Sequence, residues 1–70
     1  MFSVGTVQKG SAGNDVKLLQ ELLCYHGYGL AVDGDFGTLT RSAAMEYQKR
    51  HGLGVDGIVG PKTWKSILLR

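Results

Sequence analysis

Apolar positions along the chain fall into three stripes at helical spacing, separated by two glycine-rich loops. Val16, Leu19, Leu22 and Leu23 form the first, Leu39, Ala43, Ala44 and Tyr47 the second, and Trp64, Ile67 and Leu68 a short third. The spacing predicts helices over about 14–25, 38–50 and 61–69. Gly27 and Gly52 stand where the first two would stop, glycine being common just past a helix end. The loops are not polar. Leu30, Val32 and Phe36 in one, and Leu53, Val55, Ile58 and Val59 in the other, are expected to fold back onto the core.

An internal repeat fixes how each loop meets its helix. Residues 29–40, GLAVDGDFGTLT, overlay residues 52–63, GLGVDGIVGPKT, at an offset of 23 with seven of twelve positions identical. A weaker copy of the ending is Gly13-Asn14-Asp15-Val16. In each full copy an Asp-Gly pair makes a turn, the carboxylate accepting from nearby backbone N–H groups and the glycine tolerating positive φ. Asp33, Gly34 and Gly37, like Asp56, Gly57 and Gly60, are therefore read as structural. Gly37 and Gly60 fall at N-cap positions, and Pro61 fits the first position of its helix. Asn14 and Asp15 bring a capping side chain and a negative charge to the positive end of the first helix. Gln20 and Gln48 follow core positions and are expected to bond loop backbone. The fold class that follows is all-α: a compact three-helix bundle with two long, ordered, Gly-rich loops. A single domain is expected over 7–70, with 1–6 a flexible N-terminus.

Composition narrows the function. The chain has 70 residues, 43% of them hydrophobic and 20% charged, with 11 glycines and one proline. That balance is globular rather than disordered or fibrous. The net charge is only +2, and the eight basic residues are scattered, which argues against a nucleic-acid partner. No apolar run is long enough for a membrane span. The opening Met-Phe-Ser-Val-Gly is too short for a signal peptide and lacks its basic region. One cysteine, Cys24, forms no internal disulfide and leaves the redox compartment open.

Candidate chemistry is sparse. Asp33 and Asp56 are the natural pair for a glycosidase, but they occupy equivalent turn positions in a repeat. Cys24, His26 and His51 lack zinc-ligand spacing and any evident partners for a Cys–His dyad. No metal, cofactor or catalytic residue is expected. Trp64 and Tyr47 lie on core stripes. Tyr25 and Tyr28, at a helix end and in a loop, are freer to stack against a ligand.

These residues resemble the three-helix peptidoglycan-binding domains appended to bacterial and phage cell-wall hydrolases. The match runs over about 7–68. It rests on Gly10 to Val16 with Leu19-Gln20, on Val32 to Thr40, on Ala43, Tyr47-Gln48 and Gly52-Leu53, and on Val55 to Trp64. Cys24 and the Tyr25-His26 pair depart from the pattern. The resemblance implies a non-catalytic wall-targeting module, extracellular or wall-associated within its parent protein. Its partners would be peptidoglycan, an amino-sugar polymer whose short peptides carry free carboxylates, and a catalytic domain in the same longer chain: an amidase, muramidase or peptidase. A monomer is expected. The same fold in a protein-interaction or pro-segment role is the alternative.

Carboxylates suit helix N-termini. The second and third helices open without an acid, at Thr38-Leu39-Thr40 and Pro61-Lys62-Thr63, and Arg41 and Lys62 add positive charge. Stem-peptide carboxylates are therefore expected near 37–41 or 60–62, at Thr38, Arg41 or Lys62, with Tyr25 or Tyr28 beside the sugar. The alternative is that these helix ends are simply hydrated.

Overall fold

Three helices form where the apolar spacing places them. In the computed structural model, which describes residues 5–69, they are α1 (Asn14–Tyr25), α2 (Thr38–Arg50) and α3 (Pro61–Leu68). The third ends one residue short of expectation: Leu69 is its C-cap and donates its N–H to Lys65 O at 3.2 Å. Of the segment 1–6 expected to be flexible, residues 1–4 lie outside the described residues. Gly5 lies within them. Its N–H reaches Asp15 Oδ2 at 3.0 Å, and its carbonyl accepts the Trp64 indole N–H at 2.9 Å.

Each helix starts on a glycine, Gly13, Gly37 or Gly60, with no side-chain cap. Asn14 is thus the first helical residue rather than the cap. Asp15 stands in the first turn of α1, where its charge suits the helix dipole, and also holds the Gly5 N–H.

The core joins Val16, Leu19 and Leu23 of α1, Ala44 and Tyr47 of α2, and Trp64 and Ile67 of α3. Val7, Phe36 and Val59 complete it from outside the helices. Loop residues therefore fill space that a plain bundle would fill by helix-on-helix packing. Leu30 and Leu53 pack partly against this core. Val32, Val55 and Ile58, expected to fold inward, instead lie at the surface. The second stripe keeps Ala44 and Tyr47 in the core and Ala43 against it, but its first position differs. Thr40 is buried, its hydroxyl accepting from the Gln20 amide, and Leu39 is 75% exposed.

The segment before α1 ties the two loops together. Val7 and Val59 exchange backbone hydrogen bonds at 3.1 and 2.8 Å. Gly10 N–H donates to Phe36 O and Phe36 N–H to Ser11 O, both at 2.9 Å, and Gly13 N–H reaches Gly34 O at 2.9 Å. Residues 7–13 are thus a short strap, bonded to one loop at each end. The Cα radius of gyration, 10.5 Å, is close to the roughly 11 Å of a well-packed chain this long.

Candidate functional site

Two buried glutamines organise the two loops in the same way. Gln20 Nε2 donates to Asp33 Oδ1, Asp35 O and Thr40 Oγ1 at 3.0, 3.0 and 3.1 Å. Its Oε1 accepts the N–H groups of Asp33 and Gly34 at 3.0 and 2.9 Å. Gln48 repeats the set: Nε2 to Asp56 Oδ1, Ile58 O and Thr63 Oγ1 at 3.0, 3.0 and 3.2 Å, and Oε1 to the N–H groups of Asp56 and Gly57 at 3.2 and 3.0 Å. An amide supplies both donors and acceptors, so one side chain satisfies both kinds of backbone group in a turn.

Each aspartate closes its own turn. Asp33 Oδ1 accepts Asp35 N–H and Asp56 Oδ1 accepts Ile58 N–H, both at 2.9 Å. These backbone donors, then the glutamine amides, hold both carboxyls below their ordinary value of 3.8, against a smaller opposing effect of burial. The aspartates sit in different loops, each bonded within its own turn, which does not suit a shared acid–base role.

The lowered values fix a pH dependence. A carboxyl whose folded pKa is depressed adds stability above the unfolded pKa, about 3.9, and loses it as pH falls through the folded value. The unfolding midpoint is expected to hold steady from pH 7 to about 5 and to fall progressively below that. In the double variant Asp33→Asn, Asp56→Asn, a pH series of thermal melts should show a shallower acid limb. An acid limb as steep as the parent's would show that other groups govern it.

The turn glycines allow close packing. Gly34 and Gly57 have φ of 80° and 73°, which side-chain-bearing residues rarely adopt. A Cβ on Gly34 would meet Lys17 Cγ at 3.2 Å, and one on Gly57 would meet Arg41 Cγ at 3.1 Å. Lys17 and Arg41 each stand four residues after their cap glycine, so both stems cover the turn of a neighbouring loop.

The repeat creates two related clefts, each between a loop and the helix it opens. The first, about 240 Å³, is lined by Gln20, Leu30 and Asp35, and by Thr38 and Leu39 from the first turn of α2. The second, about 590 Å³, is lined by Gln48, Leu53, Gly54 and Ile58, and by Pro61 and Lys62 from the first turn of α3. Two substitutions between the copies change their character. Asp35 in the first cleft corresponds to Ile58 in the second, and Leu39 corresponds to Lys62. Each cleft is lined by its turn aspartate, Asp33 or Asp56; the small α2 cleft adds a second acid, Asp35, whereas the larger α3 cleft, lined also by Leu53 and Ile58, adds a base, Lys62.

Of the five ligand candidates, Thr38 and Lys62 stand at these clefts, one at each. Arg41 lies over Gly57 and lines neither. Tyr25, 80% exposed at the end of α1, has its ring 5.6 Å from that of His26 in an edge contact. Tyr28 is half-buried against the core. Neither tyrosine lines either cleft. Leu53 and Ile58 were not singled out from the sequence as site residues. The signal was present in the repeat, since Asp35/Ile58 and Leu39/Lys62 are among the positions where the two copies differ.

His26 and His51, the C-caps of α1 and α2, meet around Tyr47. The Tyr47 ring stacks on His51 at 4.1 Å and meets the His26 edge at 5.4 Å. Among the described residues, no three of the His, Cys, Asp and Glu side chains converge as metal ligands would.

Comparison with known proteins agrees with this architecture. The zinc D-Ala-D-Ala carboxypeptidase of Streptomyces albus G is 44% identical over 66 residues, covering 90% of this chain and 26% of that protein. A spore cortex-lytic enzyme of Bacillus cereus is 44% identical over 70 residues, covering 99% of this chain and 27% of that protein. The chain thus spans about a quarter of the length of these relatives. Among solved structures, the SleB N-terminal domain superposes with a TM-score of 0.91 at 42% identity, covering 97% of this chain and 94% of that one. The Burkholderia AP3 phage endolysin gives 0.91 at 43% identity, covering 93% of this chain and 25% of that one. The family model of the peptidoglycan binding domain matches residues 12–67, and with the repeat and the fold in agreement, the chain belongs to that family.

Proposed function

We propose that this chain is a non-catalytic module that binds peptidoglycan in the α3 cleft and targets a larger cell-wall hydrolase to its substrate. The observation that carries the choice of cleft is the divergence of the two repeats. Only the α3 cleft combines a base, Lys62, with an apolar floor, Leu53 and Ile58, and it has more than twice the volume of its partner. Such a site suits a polymer whose sugars present apolar faces and whose peptides end in carboxylates. Asp56, which also lines it, has its carboxylate engaged by Ile58 N–H and Gln48. Those bonds keep it ionised and tie it to the turn, so Lys62 is the group in the cleft that attracts an anion.

The relatives support the wider reading. They include a carboxypeptidase, spore cortex-lytic enzymes and an N-acetylmuramoyl-L-alanine amidase. The catalytic domain would follow or precede this module in one chain, and the whole would act at the cell wall. The module acts as a monomer, presenting one α3 cleft to the wall.

Cosedimentation with purified, protein-free wall sacculi tests this. The parent domain is expected to pellet with sacculi. Lys62→Glu should weaken binding about three- to tenfold without lowering the melting temperature, since Lys62 is exposed and an acid in the first turn of α3 suits the helix dipole. Added salt should weaken the parent as well, because exposed charges are screened over about 8–10 Å near physiological ionic strength. A parent domain that stays in the supernatant would overturn wall binding. A folded Lys62→Glu variant that pellets like the parent would overturn the choice of cleft.

A further inference from the structure

The α3 cleft does not end at Lys62. A second depression of about 520 Å³ adjoins it, lined by His51, Leu53, Lys62, Lys65, Ser66 and Leu69. Leu53 and Lys62 belong to both, so the two form one continuous groove along α3. Lys62 and Lys65 are three residues apart on the helix, and so lie on one face about 5–6 Å apart at their Cβ atoms. Among the described residues no carboxylate lines the second depression, so the groove becomes more basic away from the Asp-Gly turn.

One buried residue fixes this wall. Tyr47 is fully buried, its hydroxyl bonds the Ser66 hydroxyl at 2.8 Å, and its ring stacks on His51 at 4.1 Å. A hydroxyl from α3 and an imidazole from the end of α2 are thereby held in place before any ligand arrives. Groups fixed in advance lose less freedom on binding. Leu53 and Leu69 supply apolar surface between and beyond the polar groups. The repeat-related α2 cleft shares no lining residue with this groove.

Resting on the reading of the α3 cleft as the peptidoglycan site, we propose that the depression beside Lys65 is a second subsite of the same groove. The occupant is one continuous stretch of the wall polymer bearing two anionic groups, one at Lys62 and the next at Lys65. The domain then recognises an extended strand and not an isolated end group. Two linked groups bound side by side gain affinity because the second contact is intramolecular once the first has formed.

The test uses soluble peptidoglycan fragments of one and of two disaccharide-peptide units, titrated into the isotope-labelled domain. The two-unit fragment is expected to bind about tenfold more tightly, well beyond the roughly twofold gain that two identical units give by statistics. It should also shift the amides of His51, Lys65, Ser66 and Leu69 in addition to those around Lys62. In Lys65→Glu, which changes an exposed side chain, the affinity ratio between the fragments should fall to about two. Equal affinities for the two fragments in the parent, with shifts confined to 52–63, would overturn the second subsite while leaving the α3 cleft intact. If neither fragment shifts residues 52–63, the underlying reading fails and the second subsite with it.

Discussion

Replacing Gln48 with leucine is expected to lower the stability of the domain by about 3 kcal/mol. The shape of the side chain is nearly kept, so packing changes little. What is lost is the amide that serves five partners in the second loop and the first turn of α3: Asp56 Oδ1, Ile58 O, Thr63 Oγ1 and the N–H groups of Asp56 and Gly57. Gly57 is buried, so its N–H has little water to turn to. Each buried polar group left without a partner costs about 1–3 kcal/mol, and partial rehydration of the loop recovers some of that. A chain of 70 residues has only about 4–10 kcal/mol in total. Urea unfolding should therefore show a large fall in midpoint, and Gln20→Leu should behave alike because its bonds repeat. Gln48→Glu offers a control: its carboxylate still accepts from the loop but faces Asp56 without a donor, so it should be destabilised too. A midpoint within a few tenths of a kcal/mol of the parent in either leucine variant would show that the loops stand without their glutamines.

These glutamines show how far the sequence alone reaches. Their place directly after the core positions Leu19 and Tyr47 set them against loop backbone. The repeat of Asp-Gly before a glycine-started helix located both turns. Helix limits were legible because caps, glycine stops and Pro61 all act within a few residues of where they stand. Contacts between distant segments were not. The exchange between Val7 and Val59 is a single pair, too short to leave an alternating pattern in the sequence. At the start of α2, Thr40 is buried where it meets Gln20 across the fold, and Leu39 is the more apolar residue, so hydropathy alone favours the wrong one.

The candidate site divides in the same way. Thr38 and Lys62 were found from the helix openings because a first turn necessarily borders the loop that precedes it. Arg41 lies one turn further along, and which surface its stem covers depends on where the other loop packs; it covers Gly57. The floor of the α3 cleft was missed because apolar loop residues were all assigned to the core, whereas Ile58 divides the work with Val59. Val59 is fully buried and Ile58, its neighbour, faces the cleft.

Trp64→Ala is expected to be the most destabilising single change, at about 3–5 kcal/mol. Trp64 is buried in the core from α3, and its indole N–H holds Gly5 O at 2.9 Å. Truncation leaves a large void in the core and releases the chain before Val7, whose bonds to Val59 close the second loop. Trp64→Phe separates the contributions. It keeps most of the packing and loses the indole donor, so it should cost much less, about 1–2 kcal/mol. Thermal melts of the two variants check this. Equal losses would mean that the Gly5 bond outweighs the packing.

The most direct test of wall recognition through the α3 cleft is an amide-shift map of the labelled domain titrated with soluble peptidoglycan fragments. The largest shifts are expected at Gly52, Leu53, Gly54, Ile58, Gly60 and Lys62, with smaller changes at the corresponding positions of the α2 cleft. Shifts concentrated instead on Thr38, Leu39 and Asp35, or on the exposed Tyr25 face, would contradict this assignment.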